Sequence, residues 1–280
     1  MDPPLVIIGL FVGAIVGLTG IGAGSLLTPI LLLLGVGPVV AVGTSLTNSI
    51  LMRTAGAIQH DRQGTLSRQL ALPLLAGAVP GAVVGSLAVV HFSVRAPAET
   101  DLFLKVAIGV ALFVASLTVL SQILVQRKAR EEPKRAHEIG AGVLFWPFLD
   151  TNRLPSRLIA ITVTIGLLTG LVTSVSSIGV GSFLLPFLIL ALRARIRLNR
   201  IVGTVVAVGA AIGLVATTIY LVSGTVQIGP LLSLMLGSIP GVMIGSRMNA
   251  GLNATGMRVA ISSVTLIAAF VIIYEGIVNG

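Results

Sequence analysis

The sequence contains no cysteine, so it offers no disulfide framework, no thiolate metal site and no cysteine nucleophile. Charge is almost as scarce. Only 10% of its 280 residues are charged, where an ordinary soluble domain has roughly 25%, too few to clothe a water-facing surface. Aromatic residues make up 4%. No strong apolar–polar alternation of period two runs along the chain, which argues against an outer-membrane barrel. No Walker motif is present, so ATP is not the direct driver of anything the chain does. The opening MDPPLVIIGL has no basic n-region and no clear cleavage site, so the first apolar segment is expected in the mature protein.

What is abundant is apolar sequence. The chain is 55% hydrophobic with a mean hydropathy of +1.06. Apolar runs cover roughly 5–35, 38–58, 70–90, 102–125, 157–192, 201–222, 230–246 and 258–274. Runs of about 20 residues match a hydrocarbon core of about 30 Å, so the sequence predicts an all-α polytopic membrane protein with the lipid bilayer as its surroundings. The 33 glycines agree, because small residues let membrane helices approach closely. The net charge of +9 does not point to nucleic acid. The basic residues sit in short clusters between apolar runs, as cytoplasmic loops require.

One stretch breaks the pattern. GLTGIGAGSLLTP (17–29) puts four glycines and a proline inside an apolar run, and SVSSIGVGSFLLP (174–186) repeats it. At an offset of 157, Gly13 matches Gly170, Gly22 matches Gly179, Gly24-Ser25 matches Gly181-Ser182, and Pro29 matches Pro186. At an offset of 160, Gly43-Thr44 matches Gly203-Thr204, Gly64-Thr65 matches Gly224-Thr225, and GAVPGAVVGS (77–86) matches GSIPGVMIGS (237–246). Such ordered matches mark a duplication. The domains expected are a first transmembrane repeat over 1–126, a basic linker over 127–156 and a second repeat over 157–280, each repeat with one broken segment and three plain spans. In the first repeat the break leaves pieces of about 15 residues, about 22 Å each, too short to cross alone. A re-entrant hairpin fits.

Loop charge sets the orientation. The linker carries Arg127, Lys128, Arg130, Lys134, Arg135 and Arg153, with Arg157 following, and is placed in the cytoplasm. The 59–69 loop is basic where its counterpart 223–229 is uncharged, and 191–200, with Arg193, Arg195, Arg197 and Arg200, is basic where 35–38 is uncharged. Equivalent loops therefore carry opposite signatures. That predicts an inverted repeat, with both termini outside the cell's inner membrane.

Irregular backbone at membrane depth is tolerated where it is buried in protein or lines a watery cavity. Broken helices in inverted-repeat transporters put half-helix N-termini near the midplane, where they hold anions. Gly20, Gly22 and Gly24 would let the backbone turn, with Gly179 and Gly181 doing the same in the second copy. Ser25 and Ser182 would open and cap the second half-helices. Pro29 and Pro186 would lie in their first turns. Thr44 and Thr204 are supporting donors. Glycines that merely permit tight packing are the plainer alternative.

These residues resemble the sulfite exporter TauE/SafE family. The paired GxGxGSxxxP breakers carry the likeness, with AVGTSLTNSI (41–50) leading into AGAIQHDRQGTLSRQLALPLLAGAVPGAVVGS (55–86). The resemblance covers nearly the whole chain. It implies a bundle of about eight helical segments in two homologous halves, exporting, sometimes taking up, small sulfur-containing anions such as sulfite, sulfoacetate and other organosulfonates. The second half has Tyr220 where the first has His60, so His60 lacks a symmetric partner.

Other residues carry two readings each. Arg53, inside the 38–58 span, is either an anion ligand or a snorkelling side chain. His60 is either a proton-coupling group or an interfacial cap. His91 and His137 read as boundary and linker residues, and Lys105 and Glu275 as span-end residues. Thr44, Ser45, Thr47 and Asn48 suit helix–helix hydrogen bonding or neutral donors to an oxyanion. The functional expectation is a secondary transporter of a small anion, with no cofactor, no metal and no nucleic-acid partner. Self-association is left open. An anion channel would share the cradle. An intramembrane hydrolase pairing Ser25 with His60 or His91 is the third class considered, disfavoured because Gly-Ser recurs at 181–182 while neither histidine does.

Overall fold

The computed structural model describes residues 3–19, 22–64, 66–131, 156–185, 188, 198–248 and 254–279. Within them lie α1 (Pro3–Thr19), α2 (Gly24–Leu33), α3 (Pro38–Arg62), α4 (Arg68–Arg95), α5 (Pro97–Glu131), α6 (Ser156–Ser176), α7 (Leu198–Val222), α8 (Ile228–Met248) and α9 (Ala254–Asn279). A π-helical turn, Val180–Leu184, follows α6. Six of the helices, α4 to α9, are long and apolar enough to cross a membrane, while α1 and α2 are shorter apolar helices.

The break in the first half separates helices of 17 and 10 residues rather than two equal pieces. In the second half α6 has 21 residues and could cross unaided by length and composition. It ends at Ser176, the repeat position of Thr19 where α1 ends, so its extra residues lie at its N-terminal end. The fifth helix runs on to Glu131, so the first five residues assigned to the linker are helical. Most of the remaining linker lies outside the described residues, as do Arg193, Arg195 and Arg197.

The 25-residue α3 is long enough to cross but too polar to count among the six. Its position explains this. Residues 41–49 are buried without interruption, so this stretch of α3 meets protein on all sides and need not match lipid. One apolar cluster joins Val42 and Leu46 of α3 to Leu104, Ile108 and Leu112 of α5 and to Tyr220 of α7. Large side chains facing outward, among them Phe11, Leu72, Leu87, Phe103 and Ile267, suit contact with acyl chains.

Glycines at matched positions make matched contacts. A methyl group built on Gly9 or Gly13 of α1 would collide with the backbone of Leu234 or Ser238 in α8. Their repeat partners Gly166 and Gly170 of α6 would collide with Leu74 and Ala78 of α4, the repeat partners of Leu234 and Ser238. The same parallel, glycine-mediated contact is thus made twice, α1 against α8 and α6 against α4. Such small-residue faces draw membrane helices to backbone contact. The turns after α3 and α7 match too. Gly64 has φ 63° and Gly224 has φ 70°, a region glycine enters without strain.

Equivalent helices also cross each other. In α3 and α7, Gly43 lies near Tyr220, Gly56 near Val206, and Gly209 near Arg53. In α5 and α9, Gly109 lies near Ile273 and Gly276 near Lys105. In each pair residue numbers rise along one helix as they fall along the other, so equivalent helices run in opposite directions.

Candidate functional site

Both breakers open onto one cavity of about 170 Å³. The first contributes Gly22 and Ser25, the second Ser177, Ile178, Gly179, Gly181 and Ser182. Arg53 enters from α3. Ser116 of α5 and Ser262 and Thr265 of α9 complete the polar wall, and Leu112, Ala115, Val119 and Ile261 line the apolar one. Among the described residues the lining holds one cation, no carboxylate and no histidine.

The second breaker owes its shape to three consecutive departures from helix. The Ser176 hydroxyl accepts the Ile178 amide at 3.2 Å and donates to the Val172 carbonyl at 2.7 Å, closing the end of α6. Ser177 then takes φ 62°, rare for a residue with a side chain, and Gly179 takes φ 135°. The chain re-enters helix with its register widened. The Phe183 and Leu184 amides both donate to the Gly179 carbonyl, at 2.7 and 3.3 Å. Single π turns of this kind concentrate at functional sites. Gly181 faces open space, with no atom within 4 Å of a built Cβ.

The first breaker is held differently. Gly22 and Gly24 keep negative φ, so left-handed geometry is not what these positions use. Gly24 is needed for close approach: a side chain there would collide with the Ser177 carbonyl and hydroxyl. The two breakers therefore touch at Gly24 and Ser177. Two expectations about this segment are corrected. Ser25 does not cap α2. The N-cap is Ala23, in helical conformation and without a side-chain cap, while the Ser25 hydroxyl folds back to donate to the Gly22 carbonyl at 2.8 Å. Pro29 is the sixth residue of α2, not a first-turn residue. There it removes the amide that would bond the Ser25 carbonyl, next to the cavity. Ser182, expected as the matching cap, lies inside the π turn. Gly20 and Pro186 lie outside the described residues.

Arg53 links the halves. A methyl on Gly22 would stand 3.4 Å from its Nη2, and one on Gly209 of α7 would stand 3.1 Å from its Nη1 and 2.8 Å from Val180 Cγ1. The guanidinium thus sits between the first breaker and the second half. Its Nη1 is buried and, among the described residues, has no hydrogen-bond partner. The Ser177 hydroxyl, also buried, has none either. Ser116 and Thr265 satisfy one another at 2.8 Å.

The remaining sequence candidates lie elsewhere. Thr204 is buried away from the cavity. Its hydroxyl donates to the Arg200 carbonyl at 2.7 Å and accepts the Ser67 amide at 3.1 Å, tying the loop before α4 to α7. Thr44 is buried in α3 with an unpartnered hydroxyl and does not line the cavity. Nearby Asn48 accepts a 2.8 Å hydrogen bond from Ser238 of α8. His60 is in the last turn of α3, seven residues beyond Arg53 and outside the lining. Of the groups proposed from sequence, Gly22, Ser25, Gly179, Gly181, Ser182 and Arg53 come together. Sequence reasoning did not find Ser116, Ser177, Ser262, Thr265 or Gly209. Only Ser177, aligned with Gly20, carried a usable signal.

A family model described as "Sulfite exporter TauE/SafE" matches residues 5–272. The chain is 29% identical over 273 residues to "Probable membrane transporter protein YjnA" of Bacillus subtilis (strain 168), an alignment covering 98% of this chain and 100% of that one. It is 24% identical over 284 residues to "Probable membrane transporter protein YunE" of the same organism, covering 98% and 97%. No solved structure matches.

Proposed function

The chain belongs to the sulfite exporter TauE/SafE family of membrane transporters, and on that premise we propose that it is a secondary transporter exporting a small sulfur-containing oxyanion, held where the two breakers meet. The observation that carries this reading is the Arg53 guanidinium, placed between both halves on a cavity lined by hydroxyls and glycines and, among the described residues, by no acid. One positive charge in such surroundings favours an anion. Neutral hydroxyls add directional donors without holding it too tightly to leave. A cavity of about 170 Å³ is well below the ~300–1,000 Å³ of drug-sized sites, so the cargo is of sulfite or small-sulfonate size.

The opposite run of α3 against α7 and of α5 against α9, with the twice-made glycine contact, supports an inverted repeat. The axis would then lie in the membrane plane and the breakers near mid-depth. Loop charge supports a cytoplasmic linker and outward termini. The test is labelled sulfite efflux from proteoliposomes, with and without a pH gradient, beside Gly24→Leu and Gly181→Leu. Flux in the parent that is lost in both variants is expected. Flux that survives both would sink the site assignment.

A further inference from the structure

We propose that this transporter is an obligate anion exchanger, in which Arg53 prevents the empty site from crossing; this rests on the anion site proposed above. The argument starts from the charge balance of the cavity. Among the described residues the lining gives Arg53 no carboxylate. Its Nη1 is already buried and unpartnered. Much of the hydroxyl lining is committed elsewhere: Ser25 to the Gly22 carbonyl, and Ser116 and Thr265 to each other. An arginine keeps its proton even in apolar surroundings, so the charge cannot be shed.

A carrier passes through a closed state in which the site loses contact with both aqueous sides. Closing on an empty site strips water from a guanidinium that, among the described residues, faces no carboxylate, and a buried cation without a counter-charge is strongly unfavourable. Closing on a monovalent anion, such as the hydrogensulfite present in a neutral sulfite solution, buries a neutral, hydrogen-bonded pair instead. The loaded form therefore crosses, and the empty form does not return at a comparable rate. Each outward anion must be balanced by an inward one. The returning anion is selected by its single negative charge and small size more than by its shape. His60, outside the cavity lining, is not required for this coupling.

The experiment is efflux of labelled sulfite from proteoliposomes holding the full chain, into medium whose anion is either sulfite or gluconate. External sulfite is expected to speed efflux by more than about tenfold, since each tenfold needs only a modest barrier difference and a buried unpaired ion supplies it. Arg53→Gln removes the charge, so its ratio of the two rates should fall towards one even as total flux drops. Arg53→Lys should keep the ratio. Parent efflux that is equal in both media overturns exchange while leaving the transport reading standing, and so does efflux that follows a pH gradient regardless of the external anion. No labelled sulfite leaving in either medium overturns the transport reading and this inference with it.

Discussion

The Tyr220 hydroxyl donates a 2.9 Å hydrogen bond to the Ser174 carbonyl. It joins the last turns of α7 and α6 where the second breaker begins. The amide that would bond this carbonyl in a continued helix belongs to Ile178, which turns to the Ser176 hydroxyl instead. Tyr220 is fully buried and so replaces a lost helical partner. Tyr220→Phe leaves the carbonyl unsatisfied and should destabilise the protein by about 1–3 kcal/mol, read as a lower unfolding temperature in detergent. Because the carbonyl lies three residues from Ser177, sulfite transport should weaken as well. An unchanged unfolding temperature would mean that the carbonyl finds another donor.

Two glycines at matched positions should respond in opposite ways. Gly24 abuts the Ser177 carbonyl, whereas Gly181 faces open space. Gly24→Ala forces backbone apart at the junction of the breakers and should cost about 1–3 kcal/mol. Gly181→Ala should stay within about 0.5 kcal/mol of the parent. Gly181→Leu adds bulk to the cavity wall and should abolish flux while leaving the unfolding temperature near that of the parent. Thermal unfolding beside efflux separates these outcomes. Equal destabilisation by the two alanines would show that Gly24 and Ser177 do not touch.

Much of the architecture was legible because composition and spacing carry it. Scarce charge and recurring apolar runs carry the membrane bundle, and the two glycine-serine-proline stretches carry Gly179, Gly181 and Ser182 of the cavity wall. What could not be read was anything decided by residues far apart in sequence. Arg53 is visible as a charge in a span, but its place between Gly22 and Gly209 depends on how α3 crosses α7. Ser116, Ser262 and Thr265 are single hydroxyls in apolar helices and leave no periodic mark. Ser25 was misread as a cap because glycine-serine before an apolar run resembles a helix start. The helix begins earlier, after Ala23. Thr204 was paired with Thr44 by the repeat, yet it holds a loop.

The twice-made glycine contact predicts matched penalties. Gly13 meets Ser238 and Gly170 meets Ala78, in each case at backbone atoms. Gly13→Ala and Gly170→Ala should each destabilise by about 1–3 kcal/mol, because neither backbone can yield without parting its helices. The two sites share no partner, so the double variant should be additive within about 0.5 kcal/mol. Unfolding in detergent measures all three. A penalty at Gly13 with none at Gly170 would mean that the two contacts are not equivalent.

Ser116 and Thr265 bind each other at 2.8 Å across α5 and α9, on the cavity wall facing the breakers. Thr265 also donates towards the Ile261 carbonyl at 3.0 Å, so the Ser116 hydroxyl can turn towards cargo while Thr265 stays satisfied. Hydrogen bonds between membrane helices average about 0.6 kcal/mol and reach about 1.7 kcal/mol. The stability coupling in a Ser116→Ala, Thr265→Ala double-mutant cycle should fall in that range. Transport should respond more strongly, because a donor at the anion is lost together with a helix contact. Either single variant should raise the KM for sulfite while keeping the dependence of efflux on external anion, which is set by the Arg53 charge. Loss of that dependence in Ser116→Ala would show that the hydroxyl, not the guanidinium, governs return of the site. A KM unchanged in both singles would leave the pair as a helix tie that the cargo never reaches.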